Sequence, residues 1–182
     1  MTEKNDTKQL IDRLEATRNL SRDEWIRLIQ NRTADDADYL FERAQAVRTR
    51  HYGRSVYIRG LIEFTNYCKN DCFYCGIRKS NRNANRYRLT KEQILSCCEM
   101  GYALGFRTFV LQGGEDGSFT DDRLTDIISS IRTRWSDCAI TLSVGERSYE
   151  SYKRLYDAGA NRFLLRHETY DDTHYGKLHP LP

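Results

Sequence analysis

A chain of 182 residues, 39% hydrophobic and 30% charged, suits one soluble domain with a core of its own. Its net charge of +3, with acidic and basic residues interspersed, excludes a strongly basic nucleic-acid binder, and no apolar run approaches the ~20 residues of a membrane span. The polar opening Met1-Thr2-Glu3-Lys4-Asn5-Asp6 lacks the apolar stretch of a secretion signal, so a cytoplasmic protein is expected, with its six cysteines kept as thiols.

In chain order, the first fifty residues read as helical. Leu10, Ile11 and Leu14 form a short apolar stripe, and Ser21 with Glu24 makes a capping box ahead of Trp25, Leu28 and Ile29. Thr33 with Asp36 opens a further helix whose face is Leu40, Ala44 and Val47. It ends near Gly53, with Arg48, Arg50 and His51 at the negative end of its dipole. Residues 1–53 thus read as a helical segment that offers packing and no chemistry. At Val56 the period changes: Val56, Ile58, Ile62 and Phe64 alternate with Tyr57, Arg59, Leu61 and Glu63, a strand that runs into Thr65-Asn66-Tyr67-Cys68.

From there strands and helices take turns. Thr90 and Gln93 cap a helix bearing Ile94, Leu95, Cys98 and Tyr102 that stops at Gly105, and residues 107–112 make a second strand. Leu124, Ile127, Ile128, Ile131 and Trp135 mark the next helix, and residues 139–144 a third strand. Ser148 caps a helix with Tyr152, Leu155, Tyr156 and Ala158, closed by Gly159, and residues 161–165 form a fourth strand. The rhythm predicts right-handed βαβ units in a parallel sheet curling toward a barrel. A closed (β/α)8 barrel takes about 250 residues. Residues 54–182 are therefore expected to be a half-barrel of an α/β fold, four parallel strands of a truncated chain with open edges and exposed apolar surface.

The densest chemistry lies in Cys68-Lys69-Asn70-Asp71-Cys72-Phe73-Tyr74-Cys75. Three thiolates can hold three irons of a cubane cluster and leave the fourth open. Electron-carrying clusters are normally closed by four cysteines, whereas an open metal position admits a substrate or cofactor, as in catalytic zinc sites. A zinc knuckle, disulfides or space-filling thiols are the alternatives, but structural zinc wants four ligands and no fourth Cys or His lies near Cys75. Cys97, Cys98 and Cys138 read as buried fillers. The basic run Arg78, Lys79, Arg82, Arg86 and Arg88 is either a solvated loop, favoured for residues 78–82, or a rim that attracts an anion.

Each later strand also ends in polar residues, where parallel α/β folds gather ligands. Gly113-Gly114 lets backbone approach a ligand closely, and Glu115 or Asp116 can bind an ammonium group. Thr141 and Ser143 share one face of the third strand, with Glu146 beyond them; these hydroxyls either meet a ligand or bond to backbone. Arg166 and Glu168 share a face and suit a zwitterion or form an ordinary ion pair, and His167 between them reads as structural. His174 and His179 carry little signal.

The spacing of Cys68, Cys72 and Cys75, with the aromatic Tyr74 before the last, resembles the signature of the radical S-adenosylmethionine (radical SAM) superfamily, and Gly113-Gly114-Glu115-Asp116 resembles its GGE motif. Further stretches, Tyr57-Ile58-Arg59, Ile62-Glu63-Phe64-Thr65-Asn66, Cys75-Gly76-Ile77-Arg78, Arg86-Tyr87-Arg88, Leu111-Gln112-Gly113-Gly114-Glu115-Asp116, Thr141-Leu142-Ser143-Val144-Gly145-Glu146 and Leu164-Leu165-Arg166-His167-Glu168-Thr169, resemble the FeFe-hydrogenase H-cluster maturases of the HydE type, relatives of biotin synthase and methylornithine synthase. The resemblance implies a (β/α)8 TIM-type barrel, a 4Fe-4S cluster on the three cysteines, and S-adenosylmethionine cleaved reductively to a 5'-deoxyadenosyl radical for assembly of the diiron cofactor. It implies contacts to S-adenosylmethionine from Tyr74, Gly113, Gly114, Glu115 or Asp116, Ser143, Glu146 and Glu168, and an anion pocket at Thr141 and Arg166. The implied partners are a small sulfur-containing molecule or iron-cysteine precursor, an electron donor such as ferredoxin or flavodoxin, and the other hydrogenase maturases. Methylornithine synthase and biotin synthase are the enzyme alternatives, and a silent half-barrel that binds metal as an interaction module is the alternative of another class.

Overall fold

The structure, a computed structural model, describes residues 4–180. Met1, Thr2 and Glu3 of the polar opening and Leu181 and Pro182 at the far end lie outside the described residues. The chain divides into two compact units, Met1–Tyr57 and Ile58–Pro182.

The first unit is three helices, α1 (Lys4–Thr17), α2 (Arg22–Asn31) and α3 (Ala34–Tyr52). Both expected capping boxes close. Ser21 Oγ accepts from the Glu24 N–H while the Glu24 carboxylate accepts from the Ser21 N–H at 2.8 Å, and Thr33 with Asp36 repeats the exchange at 3.2 and 2.9 Å. Leu10, Ile11, Leu20 and Leu28 form the core, with Leu14, Tyr39 and Leu40 at its edge. The expected α2 face is narrower than its sequence suggests: Leu28 is buried, whereas Trp25 and Ile29 are 38% and 61% exposed. Within this unit α2 packs chiefly against α1, and one main neighbour covers one stripe.

The second unit alternates β1 (Gly60–Thr65), α4 (Lys91–Ala103), β2 (Thr108–Gly113), α5 (Asp121–Arg134), β3 (Ala139–Ser143), α6 (Tyr149–Asp157), β4 (Arg162–Phe163) and α7 (Asp172–Leu178). The strands are parallel and lie in sequence order β1-β2-β3-β4, as successive βαβ crossovers produce. Side-chain alternation divides the sheet. Ile62, Phe64, Phe109, Leu111, Ile140 and Leu142 pack with Ile94, Leu95 and Cys98 of α4, Leu124, Ile127, Ile128 and Ile131 of α5, and Leu155 of α6. Register places Leu61, Glu63, Val110, Gln112, Thr141 and Ser143 on the opposite face.

Three elements depart from expectation. The first strand begins at Gly60, and Val56, Tyr57 and Ile58 lie outside it, 66–80% exposed. The partner strand starts only at Thr108, beyond the turn at Gly105, so earlier residues find no ladder. The fourth strand shortens to Arg162–Phe163, paired on one side only, and Tyr156 on α6 is 70% exposed. Helix α7 was not expected; Asp171 caps it, accepting from the His174 N–H at 2.6 Å.

At the amino ends of the strands Arg132 holds α5 to the starts of β3 and β4. Its guanidinium donates to Ser136 O (2.9 Å), Cys138 O (2.8 Å), Gly159 O (2.7 Å) and Asn161 Oδ1 (2.6 Å), and Asn161 Oδ1 also accepts from the Ile140 N–H. Replacing Arg132 with alanine leaves these acceptors without their shared cation. Chemical denaturation is expected to show a loss of about 2–3 kcal/mol.

Candidate active site

Strand β1 delivers Cys68 to the carboxyl edge of the sheet, and the loop after it is shaped by its own turns. The Cys75 N–H donates to Cys72 O (3.0 Å), the Arg78 N–H to Cys75 O (3.2 Å), the Lys79 N–H to Asn70 O (2.8 Å) and the Ser80 N–H to Asp71 Oδ1 (2.9 Å). That last bond holds the Asp71 carboxyl below its ordinary range. Cys68, Cys72 and Cys75 are all free thiols at half-buried positions. Burial pushes the Cys72 thiol up, and the neighbouring Cys68 and Cys75 push in the same direction.

The loop after β2 lies directly against this one. A Cβ added to Gly114 would stand 2.2 Å from Tyr67 O and 2.7 Å from Cys68 Cβ, so only glycine allows the approach. Glu115 then reaches under the cysteine loop: its carboxylate accepts from Asn70 Nδ2 at 2.8 Å and pairs with Lys69 Nζ at 2.9 Å, while its carbonyl accepts from the Lys69 N–H at 3.0 Å. From the loop after β3, Gly145, at φ 77°, presses on Glu115 so closely that a Cβ would fall 2.0 Å from Glu115 Cγ. Asp116 points the other way. Its side chain, 3% exposed, accepts from Thr65 Oγ1 (2.7 Å), from Arg88 Nε (2.6 Å) and Nη2 (3.0 Å), and from the Ser118 N–H (3.0 Å). Arg88 in turn stacks over the Tyr67 ring at 3.7 Å.

These loops border a cavity of about 900 Å³. Of the residues singled out in the sequence, Cys72, Tyr74, Cys75, Gly113, Glu115, Ser143, Glu146 and Arg166 line it. Gly114 and Asp116 stand behind the wall, and Cys68, Thr141 and Glu168 also lie outside the lining. Thr141 is buried with its hydroxyl unpartnered, and Glu168 adopts a left-handed backbone with φ 59°.

The cavity also exposes residues that the sequence reading passed over. Glu63 and Gln112 meet across β1 and β2 through Gln112 Nε2 donating to Glu63 Oε1 at 3.1 Å, and Tyr87 donates to Glu63 O at 2.9 Å. Strand alternation placed Glu63 and Gln112 on the face of Thr141 and Ser143, a signal that could have found them. Tyr175 and His179 had no such signal. The Phe73 N–H donates to Leu178 O at 3.0 Å, and Tyr74 Oη lies 2.6 Å from His179 Nε2. His179 Nδ1 faces Tyr175 O at 2.9 Å and so carries the proton, which makes the Tyr74 hydroxyl the donor to Nε2. Burial, with the nearby Cys72 and Glu168, pushes the Tyr74 phenol up to about 12. The basic run divides too: Lys79 and Arg82 are solvated as expected, Arg78 donates to Phe73 O at 2.8 Å, and Arg86 and Arg88 turn to protein acceptors.

Residues 62–180 match the family model for the radical SAM superfamily. The chain belongs to that superfamily. It is similar to the FeFe-hydrogenase maturase subunit HydE of Thermotoga maritima, 42% identical over 78% of this chain and 40% of the relative, and to a 3-methylornithine synthase of Methanosarcina acetivorans, 31% identical over 87% and 45%. A crystal structure of HydG, a maturase of the FeFe-hydrogenase, superposes with a TM-score of 0.87 at 26% identity, covering 98% of this chain and 40% of that one. The chain thus spans less than half the length of these relatives, and its four parallel strands correspond to part of a radical SAM TIM-type barrel.

Membership of this superfamily brings a 4Fe-4S cluster and S-adenosylmethionine as the cofactors. The residues present fit them. A cubane takes one thiolate per iron, as three neighbouring free thiols on one loop beside a wide cavity can supply.

The Asp116 network has a pH signature. Burial alone would raise the Asp116 carboxyl, but donation from Arg88, Ser118 and Thr65 outweighs it and holds the group at about 2. A depressed folded value contributes stability above the unfolded value near 4 and loses it as pH falls toward 2, here up to about 2 kcal/mol. The stability gap between wild type and Asp116→Asn is therefore expected to be constant above about pH 5 and to narrow below about pH 4 in denaturation curves.

Proposed function

We propose that this chain carries the cluster and S-adenosylmethionine site of a radical SAM enzyme of the HydE maturase type, with residues 1–53 as a helical segment and residues 54–182 as the partial catalytic core. The close contact of Gly114 with Tyr67 and Cys68 carries the reading, because it brings the loop of Glu115 against the cysteine loop, whose Cys72 and Cys75 border the same cavity as Glu115. Cys68, Cys72 and Cys75 hold the cluster. Once bound, the cluster supplies the electron that cleaves S-adenosylmethionine to a 5'-deoxyadenosyl radical.

The chain's own residues orient the reactants and limit side reactions. Glu115 receives the ammonium group of the ligand's methionine through a charge-assisted hydrogen bond. Asp116, its oxygens already taken by Thr65, Arg88 and Ser118, holds the loop in place. Gly113 and Gly114 bring backbone close, Tyr74, Ser143, Glu146 and Glu168 surround the rest of the ligand, and Thr141 and Arg166 serve an anionic substrate group. The substrate is a small sulfur-containing molecule or an iron-cysteine precursor, the electron donor a ferredoxin or flavodoxin, and the cellular setting the cytoplasm alongside other hydrogenase maturases. Among the described residues no helix is long and apolar enough to cross a membrane.

A methylornithine synthase-like activity is the second reading, favoured by a match to that enzyme over 87% of this chain. Biotin synthase-like chemistry has less support, since β2 and β3 present Val110, Gln112, Thr141 and Ser143 to the cavity side and no cysteine. The test is anaerobic reconstitution with iron and sulfide followed by reductive cleavage of S-adenosylmethionine. Alanine at Cys68, Cys72 or Cys75 is expected to abolish 5'-deoxyadenosine formation, while Cys97→Ala, on α4, retains it. Cleavage by a fully loaded Cys72→Ala protein, or retained zinc without cluster absorption in the wild type, would falsify the assignment.

A further inference from the structure

The cysteine loop has no regular secondary structure from Asn66 to Asn81, yet the spacing of its three thiols has to be fixed. One side chain spans it. Arg86 Nη1 donates to Asn66 O and to Ile77 O (2.9 Å), and Nη2 donates to Arg78 O (2.7 Å) and Asn81 O (3.1 Å). Asn66 precedes Cys68 by two residues and Ile77 follows Cys75 by two, so a single guanidinium ties the two limbs of the loop together at its base.

Arg86 is itself held. Asn66 brackets it, donating through Nδ2 to Asn85 O (2.6 Å) and accepting at Oδ1 from the Tyr87 N–H (2.8 Å). On the far side the Leu89 N–H donates to Phe64 O (2.8 Å), Arg88 bridges antiparallel to Thr65, and the Arg88 side chain grips Asp116. The strap 85–89 is therefore fastened to the end of β1 and to the loop after β2, and it carries Arg86 as a fixed fork.

We propose that Arg86 is a positioning residue for the cluster, setting the distance between the Cys68 and Cys75 limbs before any iron binds. The proposal rests on the cluster reading of the three cysteines. Four carbonyl oxygens aimed at one point repel one another unless a cation joins them, and a planar guanidinium meets all four at once. A lysine ammonium is a point charge with three donors and cannot span the same set. Groups behind metal ligands typically change metal retention about 10–100-fold when altered.

The experiment uses the full chain as wild type, Arg86→Lys, Arg86→Met and Arg132→Lys, each reconstituted anaerobically with iron and sulfide. Loss of cluster absorption to a chelator is timed, and the apo-proteins are melted in parallel. Arg132 is the matched control, a guanidinium that also serves four acceptors but at the opposite end of the strands. Both Arg86 variants are expected to lose cluster about tenfold faster than wild type, while Arg132→Lys lowers the melting temperature and leaves cluster retention unchanged. Should Arg86→Met not fold, Arg86→Lys decides alone. Wild-type retention in Arg86→Lys, or equal acceleration in Arg132→Lys, overturns the proposal. A wild-type chain that takes up no cluster overturns the cluster reading itself, and this inference falls with it.

Discussion

The carboxyl edge of the sheet depends on one backbone-to-backbone approach, that of Gly114 to Tyr67 and Cys68. Because no Cβ intervenes, the loop after β2 lies beneath the cysteine loop and Glu115 can extend under it to Asn70 and Lys69. Gly145 repeats the device one strand later by pressing on Glu115. Three consecutive βα loops thus nest in each other, and a site drawn from separate strands becomes one rigid edge. Hydrophobic packing on the opposite side of the sheet cannot achieve this, since it fixes the strands and leaves their loops free.

Electrostatics divides the labour between two adjacent acids. Glu115 faces the cavity and meets the ammonium of Lys69, a cation 69% exposed. Asp116 faces inward and meets Arg88, with Thr65 and the Ser118 N–H completing its shell. A buried carboxylate with this many donors is a structural anchor, whereas one held by a solvated lysine stays available for exchange. Neighbours in sequence therefore face opposite ways: Asp116 is tied into the wall and Glu115 lines the cavity.

Much of this was legible beforehand, for definite reasons. Capping boxes at Ser21, Thr33 and Thr90 are local codes that need no tertiary context, and all three close as read. The alternation of strands with helices follows from a change of period, and the parallel order of the sheet follows from the connections. What escaped depends on distant partners. Val56 and Ile58 alternate like strand residues but have nothing to pair with. Nothing near Asp116 says that Arg88, 28 residues earlier, will occupy it. Arg86 sits in a basic run that reads as a solvated loop or an anion-attracting rim, and only the folded loop shows its four carbonyl acceptors. Helix α7 is seven residues long, too short to announce itself by periodicity.

That short helix has a consequence for the order of events. Tyr74 and His179 are 105 residues apart, and Phe73 with Leu178 is joined alongside them. Closing so long a stretch directly is entropically unfavourable, and the intervening strands shorten the journey by stacking one after another. On a ribosome the thiols emerge early, yet the rim beside them is finished only when the chain has grown past His179. Metal delivered to a nascent chain shorter than that would meet thiols whose neighbouring rim residues Tyr175 and His179 are not yet in place.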